Sequence, residues 1–359
     1  MPSHQFYTIN HKNQEKLEPN ILIIYTGGTL GMVLEKKSKS LVPFSFDKII
    51  EYLPDLERLA FSIDMVSILE PIDSSNVEPS FWIEIVTIIK NNYEQYDGFV
   101  IIHGTDTMAY TASALSFMLL NLSKPVILTG AQLPIGAIRT DATENLMTAL
   151  EIAATSTNEG KPLINEVCIY FSSYLLRGNR AKKKESYQFY AFRSENYPAL
   201  AEAGVGISFN LPYLSKTSEG KMLETIQKID NHELTILKLF PGISSGVVSQ
   251  ILATQDLKGV ILETFGAGNT PTFPWFLDMI ENKIREGVIF LNVSQCDGGR
   301  VTQGHYKTSA FLEKIGVISG KDMTLEAAIT KMMIGFSIFK NVEMVKSYLQ
   351  ENITGELTP

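Results

Sequence analysis

Cysteine is nearly absent from the 359 residues. Cys168 and Cys296 are the only two, too few for a disulfide framework or a zinc site. Both lie in or beside apolar, strand-like runs, where a reduced thiol behaves as a small hydrophobe. No apolar run approaches the roughly 20 residues of a membrane helix. The first twenty residues are polar, carrying His4, His11, Lys12 and Lys16 without the apolar core of a secretory signal. Histidine is scarce too. His4, His11, His103, His232 and His305 show neither metal-ligand spacing nor a Ser/His/Asp arrangement. A phosphate-binding G-x-x-x-x-G-K-[ST] loop and a deaminase zinc motif are also missing. Positive charge is in the minority, 31 Lys+Arg against 39 Asp+Glu, which speaks against general binding of nucleic acid or of an anionic membrane. The expectation is a soluble, cytosolic protein with no metal and no cofactor, whose chemistry rests on hydroxyls, carboxylates and lysines.

What is present is ordinary globular composition, 45% hydrophobic and 19% charged. The length exceeds what one core usually holds, so two domains are expected. Apolar runs at 21–25, 63–69, 98–103, 125–129 and 167–171 read as strands. Between them, 46–52, 79–93, 105–120 and 141–154 read as helices, the third apolar on most sides. This alternation predicts an α/β fold: a parallel or mixed sheet with flanking helices in a larger N-terminal domain, 1–208. After Gly206 the pattern weakens, and 209–231 reads as an interdomain connection. Strands at 234–239, 259–263 and 288–293 and helices at 244–254, 272–286 and 324–339 then predict a smaller C-terminal α/β domain, 232–359.

Two strands end in hydroxyl-bearing turns. Ile21-Leu22-Ile23-Ile24-Tyr25 leads into Thr26-Gly27-Gly28-Thr29-Leu30-Gly31-Met32, and Ile101-Ile102-His103 leads into Gly104-Thr105-Asp106-Thr107. Ligands of open α/β sheets bind beyond the carboxyl ends of strands, so the two turns are candidates for one pocket. Each also has a plainer reading. Thr29 is a plausible helix cap, and Thr and Asp before the third helix are good N-cap residues favoured by the helix dipole. The glycines do not fit a dinucleotide G-x-G-x-x-G turn. Asp73-Ser74-Ser75-Asn76 is a third polar turn on the same edge. Residues 31–41 form a polar stretch without periodicity, either a solvated loop or a lid. Arg177-Gly178-Asn179-Arg180-Ala181-Lys182-Lys183-Lys184 is a basic loop in which like charges and burial would lower the pKa of an inward lysine, making it a candidate base. His103, at a strand end, is expected to be packed and hydrogen-bonded.

The paired turns, with Thr129-Gly130-Ala131-Gln132-Leu133-Pro134, the 177–183 loop, Phe265-Gly266-Ala267-Gly268-Asn269 and Gly316-Val317-Ile318-Ser319-Gly320-Lys321-Asp322-Met323-Thr324, resemble the L-asparaginase family. The likeness runs from about residue 20 to 340 and is to its cytosolic, type I branch. It implies hydrolysis of L-asparagine to L-aspartate and ammonia, with Thr29 as nucleophile and Thr105, Asp106 and Lys183 as a second polar triad. It implies substrate contacts at Asp73, Ser74, Gly104 and Ala131, and a homodimer or a homotetramer built as a dimer of dimers. A preference for glutamine, an amidotransferase-type subunit acting on tRNA-linked substrates, and a non-catalytic amino-acid sensor are the alternatives. Two departures stand out. Many members place a Tyr before a Pro in the lid, where this chain has Leu41. The resemblance points instead to Tyr306, acting from a neighbouring subunit. At the positions of the allosteric pocket the chain has Lys182 and Glu263, an exchange that implies a salt bridge and weak cooperativity.

Overall fold

The computed structural model describes residues 4–10, 18–34, 41–43, 52–216, 220–304 and 307–359. It divides into two compact units, Met1–Gln227 and Lys228–Pro359.

The first unit is built on a nine-stranded mixed sheet. Its strands are β1 (His4–Asn10), β2 (Asn20–Gly27), β3 (Ser62–Ile72), β4 (Gly98–Ile102), β5 (Val126–Thr129), β6 (Val167–Phe171), β7 (Tyr174–Arg177), β8 (Ala201–Ala203) and β9 (Ile207–Phe209). The order across the sheet is β1-β3-β2-β4-β5-β6-β7-β8-β9. The centre, β3-β2-β4-β5-β6, is parallel. Both flanks are antiparallel. β2 shows why the centre needs covering on both faces. Ile21, Ile23 and Tyr25 join a core cluster with Val100, Ile102, Leu146 and Leu150. The alternate residues Leu22 and Ile24 point to the other face and are just as inaccessible. Among the described residues three helices connect the strands: α1 (Pro79–Asn92), α2 (Met108–Met118) and α3 (Ala142–Ala153). α2 is buried on nearly every side, as its all-round apolar sequence predicts.

Four details differ from the sequence reading. β1 lies in the stretch read as merely polar; it is an edge strand, so only part of its surface needs to be apolar. Part of the polar stretch after Gly31 is ordered as a ladder, Met32–Leu34 antiparallel to Leu41–Pro43. α2 starts at Met108, not at 105, because the side chains of residues 105–107 bond elsewhere. The end of the predicted helix, Leu119–Leu120, instead pairs with Glu224–Thr225. That pairing ties part of the expected 209–231 connection to the first unit. The helix expected at 46–52 lies outside the described residues except for Tyr52.

The second unit is a four-stranded parallel sheet of β10 (Glu233–Lys238), β11 (Leu257–Thr264), β12 (Ile289–Ser294) and β13 (Ile318–Ser319), in that order. Its helices are α4 (Ser245–Leu252), α5 (Pro274–Arg285), α6 (Lys307–Ile315), α7 (Leu325–Ile338) and α8 (Val342–Gln350). Leu237, Val260, Leu262 and Phe290 pack with Val248, Phe276 and Leu312 in one cluster. α7 lies close against β11: a Cβ on Gly259 would sit 2.4 Å from Met332 Sδ. Ser244 and Thr324 cap α4 and α7 by accepting from the N–H groups of Val247 and Ala327. No described helix of either unit is long and apolar enough to cross a membrane.

Candidate active site

The ends of β3, β2 and β4 are neighbours in the sheet, and glycine lets their turns touch. Gly28 has φ +88°, a left-handed conformation that a side chain disfavours. A Cβ there would lie 2.5 Å from Gly104 N, so the Thr29 turn and the Thr105 turn meet backbone to backbone. A Cβ on Gly104 would in turn lie 2.5 Å from Ser74 Oγ. Three turns therefore close on one point. Thr107, the N-cap residue of α2, does not cap its own helix. Its hydroxyl donates to Ser74 O at 2.6 Å, and Asp106 N donates to Ser74 Oγ at 3.3 Å. The capping role considered for Thr105 and Asp106 is thereby replaced by bonds across the turns.

A cavity of about 220 Å3 opens over this junction, lined by Gly28, Thr29, Met32, Asp73, Ser74, Gly104, Thr105, Asp106, Gln132, Lys183 and Ser186. Lys183 is part of its lining. The ammonium donates to Thr105 Oγ1 and to Asp106 Oδ1, both at 2.7 Å. Of the three consecutive lysines, it is Lys183 that reaches the turn. A hydroxyl that accepts from an ammonium keeps its own hydrogen for another partner. Asp73 accepts from Ser75 N at 2.9 Å and Ser75 Oγ at 2.8 Å. These bonds hold its carboxyl below the usual range, so it faces the cavity as an anion.

Buried and half-buried groups brace the rim. Tyr25, beneath the Thr29–Gly31 turn, donates to Gly31 O at 3.2 Å, and burial pushes its phenol pKa up. Asp141 accepts from the N–H groups of Gln132 and Leu133. Asn145 Nδ2 donates to Gly130 O at 2.9 Å. Gln132 Nε2 donates to Gln188 O at 3.0 Å, joining this turn to the segment after Lys183. Among the described residues no cluster of His, Cys, Asp and Glu could hold a metal ion.

Comparison with known proteins follows the same division. Residues 20–214 match the family described as Asparaginase, N-terminal, and residues 233–349 match the Glutaminase/Asparaginase C-terminal domain. The chain is a member of the asparaginase family. It is 40% identical to Escherichia coli L-asparaginase 1 over 344 residues, 95% of this chain and 98% of that one. It is 38% identical to the human 60 kDa lysophospholipase, covering 95% of this chain and 62% of that longer protein. The crystal structure of L-asparaginase I from Vibrio cholerae superposes with a TM-score of 0.86 at 38% identity, covering 95% of this chain and all of that one.

Of the residues singled out from the asparaginase resemblance, Thr29, Thr105, Asp106, Lys183, Asp73, Ser74 and Gly104 line one cavity. Ala131 does not; its side chain is in the core, 1% exposed, and the next residue, Gln132, is on the rim. Tyr306 lies outside the described residues. Glu263 accepts from Lys238 at 3.1 Å within its own unit. Met32, Gln132 and Ser186 were not singled out. Met32 and Gln132 stand in quoted motifs, but Ser186 offered no signal beyond nearness to Lys183.

Proposed function

We propose that this chain is an L-asparagine amidohydrolase that releases L-aspartate and ammonia. The observation that carries the reading is the Lys183 ammonium bridging Thr105 and Asp106 in the cavity that Thr29 also lines. A carboxamide is a poor electrophile. Its cleavage needs an activated hydroxyl together with stabilisation of the oxyanion. Thr29 Oγ attacks the side-chain carbonyl carbon, and the carbonyl electron pair moves to oxygen. The Thr105 hydroxyl oxygen takes the proton leaving Thr29 as it gives its own hydrogen to the departing nitrogen, and the Lys183 ammonium, held by Asp106, fixes Thr105 for that exchange. As the C–N bond breaks, ammonia leaves and a β-aspartyl ester on Thr29 remains. Water then attacks that ester, returns a proton to Thr29 Oγ and frees L-aspartate. Backbone N–H groups of the Thr105 turn face the oxyanion. Asp73 binds the α-ammonium, and Ser74 the α-carboxylate.

No metal or cofactor takes part in this reading. The enzyme works in the cytoplasm as a homodimer or a dimer of dimers, with Tyr306 reaching a neighbouring subunit's site. The deciding experiment is ammonia release from L-asparagine, with L-glutamine as competitor, by the parent and by Thr29→Ala. Loss of the nucleophile is expected to lower kcat by about 10⁴-fold or more, with the melting temperature unchanged. A Thr29→Ala variant that keeps a tenth of the parental kcat would exclude Thr29 as nucleophile.

A further inference from the structure

The turn that carries Thr105 is held from beneath by side chains that the proposed chemistry does not use. His103, the residue before the turn, is 1% exposed. Its main-chain N–H donates to Thr129 O at 2.9 Å, which locks its backbone to the neighbouring strand. Its ring lies edge-on to Phe81, with centroids 5.8 Å apart. Nδ1 is 2.7 Å from Gly104 O, and Nε2 is 3.0 Å from Thr111 Oγ1. Trp82 Nε1 donates to that same hydroxyl oxygen at 3.1 Å.

The tautomer follows from these partners. A carbonyl only accepts, so Nδ1 carries the hydrogen. Burial lowers the imidazole pKa to about 4, so the ring is neutral near pH 7 and Nε2 offers a lone pair. Thr111 donates to it and accepts from the indole of Trp82. Every donor in this run has an acceptor, and the run ends on the Gly104 carbonyl.

A peptide unit is planar and trans, so its C=O and the N–H that follows point in opposite directions. With Gly104 O drawn toward the closed imidazole side, the Thr105 N–H is turned the other way. The other side is the cavity, which Gly104 and Thr105 line and His103 does not. We propose that His103 is a positioning residue for amide hydrolysis: it fixes the Gly104–Thr105 peptide so that Thr105 N–H faces the substrate's developing oxyanion. The inference rests on the amidohydrolase reading above. A donor aimed in advance needs no reorganisation at the moment of reaction. A turned peptide would put a carbonyl oxygen, itself negative, where the oxyanion forms.

The test compares His103→Leu, which removes the ring donor at similar volume, with His103→Asn, whose amide N–H can reach the same carbonyl. Loss of a single oxyanion donor lowers kcat by roughly 10²–10³-fold. Loosening one is expected to lower kcat for L-asparagine by about 10- to 100-fold in His103→Leu, with KM changed by less than about threefold. His103→Asn should recover kcat to within about threefold of the parent. Trp82→Phe, three bonds from the carbonyl and outside the cavity, should lower kcat about two- to fivefold at unchanged KM, and it serves as the readout if His103→Leu fails to fold. The proposal is overturned if His103→Leu keeps kcat within twofold. It is overturned as well if His103→Asn folds but is no better than His103→Leu, or if Trp82→Phe is silent when His103→Leu does not fold. An inactive parent would overturn the amidohydrolase reading and this one with it. An active parent with an indifferent His103→Leu would overturn this one alone.

Discussion

Lys183 in the first unit and Lys331 in the second both bring an ammonium to a carboxylate, at 2.7 Å from Asp106 and 2.5 Å from Glu356. Their surroundings are opposite. The Asp106 side chain is 64% exposed and the Lys183 side chain 16%, while Lys331 and Glu356 are both at 0%. Lys331 also donates to Leu349 O and Glu351 O, and Glu356 accepts from the N–H groups of Ile353 and Thr354. Burial lowers the Lys331 pKa, and Glu356 opposes that shift. One pair is complete within itself and pins the end of the chain to its unit. The other shares its ammonium with a hydroxyl at the mouth of a cavity. An ammonium and a carboxylate are thus sealed into the interior of one unit and left half-open at a cavity in the other, where the proposed mechanism uses them for reactivity.

The largest expected effect separates those roles. Lys183→Met should lower kcat on L-asparagine by about 10²–10⁴-fold, with stability changed by no more than about 1 kcal/mol, since a half-open pair contributes little. Lys331→Met leaves Glu356 buried and unpaired. It should cost about 3–5 kcal/mol in chemical unfolding while the folded fraction keeps its kcat. If Lys183→Met melted the protein and left kcat alone, the comparison would be reversed.

Acid sharpens the contrast through His103. Its folded pKa of about 4 lies below the ordinary 6.5. The unfolded chain therefore takes up a proton that the folded one refuses. Its stabilising contribution is whole above pH 6.5, falls as pH drops from 6.5 to 4, and levels off below that. The fall amounts to about 3 kcal/mol. Urea unfolding as a function of pH should show this slope in the parent and a flatter one in His103→Asn.

Two threonines ahead of helices provide the smallest effect. Thr324 caps its own helix, and Thr324→Ala should cost about 1 kcal/mol of stability with no change in KM. Thr107 spends its hydroxyl on Ser74 O. Thr107→Val should cost a similar 1 kcal/mol and also raise KM for L-asparagine, because it frees the turn that carries Ser74.

The central strands and the turns after them are legible in the sequence for a definite reason. The inner parallel strands are buried on both faces and so read as unbroken apolar runs, and the polar turns that follow them stand at the sheet edge where ligands bind. Lys183 was legible through resemblance alone, because nothing in three consecutive lysines says which one turns inward. The edge strand His4–Asn10 escaped, as did the ladder after Gly31. His4–Asn10 is only partly apolar, and the ladder strands Met32–Leu34 and Leu41–Pro43 are apolar but only three residues long, too short to announce a strand. The start of α2 was misplaced because Thr105, Asp106 and Thr107 are good capping types whose partners, Ser74 and Lys183, come from distant sequence. Ser186 reaches the cavity only by folding.

The contact between Gly28 and Gly104 limits how this pocket can be re-engineered. The two turns behave as a single hinge-free joint with no spare volume, so a library that varied them would return mainly inactive clones. Gln132 and Ser186 line the same cavity from two other segments, joined by the bond from Gln132 to Gln188 O. Selection for a longer carboxamide would have to enlarge the pocket there.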